Sequence, residues 1–359
     1  MTIKKSEYIK GRGAQINIHN HFLQHQHTVE DDFLNHCLKE NESAENNKTQ
    51  YLETFPKTIL NKVISTDIGI PYSMNPYQGC EHGCIYCYAR NTHEFWGYSA
   101  GLDFERKILY KKNAAELLEI KLKSKNWKAQ NIMLSGNTDC YQPIEKKLEL
   151  TRKILLVFLK YKHPVSIITK NALILRDLDI LTTLAKMKLL HVSISITTLK
   201  EETRRILEPR TATIKKRLKT VEILAENGIA VNVMVAPIIP AINSHEIFDL
   251  VKKVSELGAL SAAYTIIRLN GSVGEIFMDW VHKTLPDRAA KILHQIEDCH
   301  NGRLNDSRFG KRMRGEGKIA EQVAIQFRLA RKKFLKDSTL PPFNYTLYEQ
   351  QKNSQLKLF

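Results

Sequence analysis

From residue 131 onward, short apolar runs alternate with longer segments of helical spacing. No other feature narrows the fold of this chain as far. The runs are Asn131–Ser135, Val165–Thr169, His191–Ile196, Ile229–Ala236 and Ala262–Arg268. Each has the length and apolar content of a strand buried on both faces. Between them, Leu148, Ile154, Leu155 and Phe158 share one helical face after Pro143. Leu178, Leu181, Leu184 and Ala185 share another, as do Leu218, Val221, Leu224 and Ala225. Asn227-Gly228 supplies a stop for that last helix, and Asn243 with Glu246 predicts a capping box before His245–Glu256. Repeated strand–helix units of about 30 residues predict a parallel sheet with right-handed crossovers. A sixth strand is expected near Tyr72–Tyr77, followed by a helix over Asn113–Lys125. Six units make an α/β chain with an open or partial (β/α)6 barrel.

Composition supports a folded body. The chain has 359 residues, of which 43% are hydrophobic, enough for a sizeable core. No run of about 18 apolar residues occurs, so a transmembrane helix is not expected. The N-terminus lacks an apolar signal-peptide core, which predicts a cytoplasmic location. Residues 1–58 read as a flexible N-terminal arm, 59–275 as the barrel, 276–336 as a basic helical segment and 337–359 as a tail. The helices of the third part are expected at Pro286–His300 and Gly317–Leu335. Five of the thirteen histidines fall between His19 and His36, which reads as a solvated arm or, alternatively, a metal-binding tract.

In such folds chemistry gathers at the carboxyl ends of the strands. Those ends are Gly136–Cys140, Thr169–Asn171, Ser195–Thr198, Pro237–Pro240 and Arg268–Gly271. Lys170 and Arg268 are more than a turn requires.

The second constraint is chemical. Cys80, Cys84 and Cys87 lie within eight residues, spaced C-x3-C-x2-C, with Gly79 and Gly83 beside them. Three thiolates on one loop suit a soft metal centre. A structural zinc site is the competing reading, with His82, His93 or Cys140 as fourth ligand.

This spacing, after the first strand of a βα-repeat chain, resembles the radical S-adenosylmethionine (SAM) superfamily. The resemblance implies a partial TIM-type barrel. It also implies a 4Fe-4S cluster whose three protein ligands are Cys80, Cys84 and Cys87, with SAM on the fourth iron. One electron from the reduced cluster then cleaves SAM to methionine and a 5′-deoxyadenosyl radical that abstracts hydrogen. An electron donor such as flavodoxin or ferredoxin is implied as partner. Tyr86 maps to the aromatic position beside the adenine. Asn137 and Thr138 sit where the family's Gly-Gly-Glu-like motif contacts SAM, although no Glu is present. Lys170 and Ser195 resemble SAM contacts of the spore photoproduct lyase-related branch, and Ala236 lies in the segment near the adenine. The same branch carries an additional cysteine as hydrogen donor, a role that falls here to Cys140. Further likeness to that branch comes from Lys10–Ala14, Thr138–Glu145, Leu207–Arg210 and Arg308–Gly317. Cys37 and Cys299 have no neighbours that suggest chemistry.

The net charge is +16 and is uneven. Residues 200–219 hold eight Lys/Arg and three Asp/Glu, and residues 303–336 hold eleven and three. Such stripes can neutralise phosphates, so DNA or RNA is the favoured substrate class. A protein, peptide or metabolite substrate is the alternative within enzymes. A non-catalytic metal-binding nucleic-acid adaptor is the alternative outside them. A salt-bridged turn is expected at Glu208–Arg210, and Arg308, Arg312 and Arg314 are expected to close over the site as a lid. A monomer is expected.

Overall fold

The computed structural model describes residues 8–23, 48–336 and 338–356. The strands, in chain order, are β1 (Gln50–Thr54), β2 (Leu60–Lys62), β3 (Tyr72–Met74), β4 (Tyr77–Gln78) and β5 (Lys107–Lys111). They continue with β6 (Ile132–Leu134), β7 (Val165–Thr169), β8 (Leu190–Ser195), β9 (Ala230–Ile238) and β10 (Ser261–Ile266). The main sheet runs β10-β9-β8-β7-β6-β3-β2. β3 and β6 to β10 are all parallel, and β2 is an antiparallel edge. These six parallel strands with their crossover helices form the expected partial (β/α)6 barrel. β1, β5 and β4 form a separate three-stranded sheet.

The barrel core follows from the apolar runs. Val165, Ile167, Val192, Ile194, Val231 and Val233 are buried, as are Ile154, Leu181, Leu224 and Val251 on the covering helices. A strand covered on both faces needs apolar side chains on both, which is why these runs lack alternation. The helix Ile214–Glu226 ends at Asn227, and Gly228 follows at positive φ.

Three expectations are corrected. First, the N-terminal arm is not free along its described length. Arg12, Gly13 and Ala14 are buried, and β1 pairs with β5. Of the His-rich tract, only His19 and His21 lie within the described residues; His25, His27, His36 and Cys37 lie outside them. Second, Asn243 and Glu246 do not form a capping box. The Asn243 side chain accepts from Ile239 N and donates to Thr197 O, and the Glu246 carboxylate takes Thr198 and Leu199 N. Spacing permitted the local bond, but neighbouring strand ends offered these groups buried partners. Third, the C-terminal segment is not a loose tail. Its helix Thr346–Leu356 buries Tyr348, whose hydroxyl donates to Leu122 O at 2.6 Å. Upstream, Phe343 stacks on His191 at 3.9 Å between centroids. The segment thus packs near the amino ends of the strands, opposite the site. A further helix, Ser272–Thr284, completes the sixth unit.

Candidate active site

The cysteine loop leaves β4 and is held from all sides. At its start, the Gln142 side chain accepts from Glu81 N and donates to Gly79 O. In its middle, Ile85 N donates to Leu207 O. Beneath it, Glu105 accepts from Gly13 N and Ala14 N, and its carboxylate pairs with Arg90 at 2.5 Å. Arg90 in turn donates to Cys84 O at 3.1 Å. Gly83 has φ +66°, and a Cβ on Gly13 would stand 1.8 Å from Gly83 O. Only glycine allows that backbone approach. The Lys10–Ala14 segment is therefore part of the seat of the cysteine loop. Its sequence likeness was visible, but its place under residues 83 and 105 was not.

Cys80 and Cys84 are buried, Cys87 is half-buried, and all three are free thiols. Burial is the main cause that raises each thiol pKa, Cys84 to about 12. Such thiols become thiolates when a cationic centre replaces the proton. Among the described residues, no three His, Cys, Asp or Glu side chains converge on a point as a single metal ion requires. Ligands set apart along one loop suit a polynuclear centre, in which each thiolate binds a different metal atom. Three cysteine thiols on one loop are a donor set that fits an iron–sulfur cluster.

Around the loop stand the ends of β7, β8 and β9. Lys170 follows β7, and its ammonium lies 6.0 Å from the centroid of the Tyr86 ring. Burial opposes its charge, but Cys84 and Glu208 outweigh burial and hold its pKa above the ordinary value. Tyr86 is buried, and its hydroxyl donates to Glu208. Glu208 also accepts from Thr197 and pairs with Arg217 at 2.5 Å. Arg217 donates to Ser195 O at 3.0 Å. Ala236 O accepts from Thr197. Tyr86, Lys170, Ser195 and Ala236 are thus tied into one neighbourhood, and Glu208 with Arg217 is the buried ion pair that joins them.

The β6 end differs. Thr138 donates its hydroxyl to Tyr77 O at 2.6 Å, and Asn137 is fixed through Asn75 and Thr92. The Thr138 proton is thereby used, so its hydroxyl can meet a ligand only as an acceptor. Asp139 instead faces the loop. It accepts from Lys170 N and Thr169 and lies 3.3 Å from His82 Nδ1. Burial raises its pKa, yet His82 and these donors hold it down at about 2. Cys140 is fully buried below, near Ser135 and Glu145, with its thiol pushed well up by burial.

Three charge expectations are corrected. Glu208 pairs with Arg217 rather than Arg210, which lies 3.6 Å from Glu81. The stripe over 200–219 is partly internal, since Arg204 and Arg217 are buried against carbonyls and carboxylates. The 308–314 arginines are also engaged. Arg308 pairs with Asp306 and Glu316, Arg312 with Asp67, and Arg314 lies over Tyr264. Met313 O accepts from Ile266 N, so this segment is a wall docked on β10 rather than an open lid.

Glu208, Arg217, Glu105, Arg90 and Gln142 were missed as site residues. The motifs Leu207–Arg210 and Thr138–Glu145 contained two of them, but a motif carries no partner. A partial barrel whose first strand leads into three free thiols, ringed by charged strand ends, defines a cofactor-dependent barrel enzyme. The chain belongs to the radical SAM superfamily, whose model matches residues 74–254. It is 32% identical over 242 residues to an uncharacterized protein of Mycobacterium tuberculosis, covering 67% of this chain and 71% of that one. It is 30% identical over 219 residues to an uncharacterized protein of Methanocaldococcus jannaschii, covering 61% and 78%. Among solved structures, spore photoproduct lyase complexed with a dinucleoside spore photoproduct shares the fold. There the TM-score is 0.60 at 16% identity, over 80% of this chain and 81% of the other. The chain is thus an enzyme of the radical SAM class. No helix among the described residues is long and apolar enough to cross a membrane.

Proposed function

We propose that Cys80, Cys84 and Cys87 hold a 4Fe-4S cluster and that the enzyme acts on a nucleic acid. When bound, the cluster supplies the electron that cleaves SAM to the hydrogen-abstracting 5′-deoxyadenosyl radical. The protein's own part is binding and shielding. Lys170 offers a half-buried cation to the SAM carboxylate, and the Tyr86 ring, fixed by Glu208, offers an apolar face beside it. Ser195, Ala236 and Asn137 lie on neighbouring strand ends within the same mouth. Cys140 keeps its proton and is positioned as a hydrogen donor only if substrate reaches beneath the β6 loop.

The single observation that carries the cluster reading is the seat of three free thiols, two buried and one half-buried, on one braced loop. The nucleic-acid reading draws on the net +8 of residues 303–336 and on the fold likeness to a lyase solved with a dinucleoside. The test is anaerobic reconstitution followed by reduction with SAM. About four irons per chain and release of 5′-deoxyadenosine are expected, and both should vanish when Cys80, Cys84 and Cys87 are all Ala. One zinc per chain with no cleavage would refute the proposal. Deuterium transfer into 5′-deoxyadenosine from labelled DNA or RNA identifies the substrate. Transfer from labelled protein or metabolite pools instead would overturn the nucleic-acid assignment.

A further inference from the structure

Arg268 lies just beyond β10, where the last parallel strand opens onto the mouth of the barrel. Its Nε is buried with no hydrogen-bond partner. Its only described side-chain contact through Nη1 is the Met313 sulfur at 3.6 Å, a weak acceptor. Among the described residues it forms no ion pair. The neighbouring carboxylate, Asp67, is already used by Arg312 at 2.5 Å and by Gly310 N at 2.7 Å. The nearby arginines differ in this respect, because Arg308 and Arg312 both have carboxylate partners. A half-buried guanidinium without an anion is costly, and an incoming anion offsets that cost. Burial, then repulsion from Arg312, lowers its pKa, which shows the same uncompensated charge.

The surroundings indicate what kind of anion. Tyr88, one residue past Cys87, opens the short helix Tyr88–Trp96, which Asn91 ties to Asn270 O at 2.8 Å, two residues past Arg268. Tyr88 is 53% exposed. Phe309 is 59% exposed, with the Arg312 guanidinium 4.1 Å from its centroid. Exposed aromatic rings next to a planar cation suit a base carried on a phosphate. We propose that Arg268 grips a phosphate of the substrate strand at the barrel mouth, with Tyr88 and Phe309 as flanking faces for its bases. This deepens the nucleic-acid reading above and rests on it.

The test uses the reconstituted enzyme with SAM and a fluorescent single-stranded DNA 12-mer across a salt series. Arg268→Gln should weaken binding about tenfold and reduce the salt slope by about one. Arg268→Lys should keep the slope and recover part of the affinity, because it keeps the charge but loses the fork. Lys186→Gln, which removes an exposed charge from the helix Leu178–Lys186 outside both basic stripes, should change affinity less than twofold. Equal loss in Lys186→Gln and Arg268→Gln would mean diffuse attraction and would overturn the grip. Unchanged binding by a folded, iron-loaded Arg268→Gln protein would also overturn it while leaving the nucleic-acid reading intact. A second arm measures thermal stabilisation by inorganic phosphate. If the wild type binds no oligonucleotide, the nucleic-acid reading falls. Arg268-dependent stabilisation by phosphate would then preserve an anion site alone, and its absence would remove both.

Discussion

The Arg90 guanidinium lies 2.5 Å from the Glu105 carboxylate, and both side chains are fully buried. This pair joins three distant stretches of chain. Glu105 takes the backbone N–H groups of Gly13 and Ala14, while Arg90 caps the carbonyls of Cys84, Ala100 and Gly101. Each lone pair and N–H used this way removes a desolvation penalty that a bare buried ion pair would carry. The cysteine loop is consequently set by residues that precede it by about 70 positions and follow it by about 20.

Glu105→Gln removes the charge that balances Arg90. Breaking one side of a buried pair costs about 3–5 kcal/mol. Urea denaturation of the anaerobic holoprotein should show a loss of that order, and the loop should give up iron faster to a chelator. A stability change within the scatter of surface substitutions, with unaltered iron release, would show that the loop does not depend on this brace.

Glu208 gives a pH signature. Burial raises its pKa, but Arg217 first and then Lys170 outweigh burial and hold it at about 2, below the ordinary 4.5. A carboxylate depressed in the folded state adds stability above its ordinary pKa and loses it as pH falls toward 2. Wild-type stability should therefore decline from about pH 5 downward. Glu208→Gln should be less stable at neutral pH and show a flatter decline. Parallel profiles for the two proteins would place the acid sensitivity elsewhere. Tyr86→Phe, which removes only one of the donors, provides a milder variant if Glu208→Gln fails to fold.

The C-terminal segment predicts an acid-sensitive clasp. His163 Nε2 accepts from Trp127 at 3.0 Å, and Tyr348 meets the ring edge-on at 5.0 Å. Burial lowers the His163 pKa to about 4. The unfolded histidine binds a proton nearer 6.5, so stability is lost as pH falls from there toward 4. Tyr348→Ala should cost about 3 kcal/mol by denaturant titration. His163→Gln should remove part of the decline between those pH values. Protease cleavage ahead of Thr346 that is equally slow at pH 7 and pH 5 would argue against an acid-opened clasp.

Much of this was legible along the chain. The run Val165–Thr169 is a strand with the same ends as expected, because four apolar or β-branched residues in five, bounded by a polar turn, leave little choice. Lys170 stood out because a strand end needs a turn, not a cation. The failures share one cause. Asn243 and Glu246 had the spacing of a cap, yet each found a tertiary partner stronger than the local one. Tyr348 and Phe343 read as part of a tail because two isolated aromatics carry no period, and only the grooves beside His163 and His191 give them a place.

The order of the strands, the superfamily and the three thiols follow from patterns that close within a few residues. Period and spacing are local properties, so neighbours along the chain suffice to encode them. Which charges meet is a different matter. Glu105 reaches Gly13, Glu208 reaches Tyr86, and Arg268 pairs with no carboxylate among the described residues, because those outcomes depend on where loops from separate strands arrive over the barrel. That arrangement turns a basic composition into particular paired and unpaired cations, and it was decided only when the chain was folded.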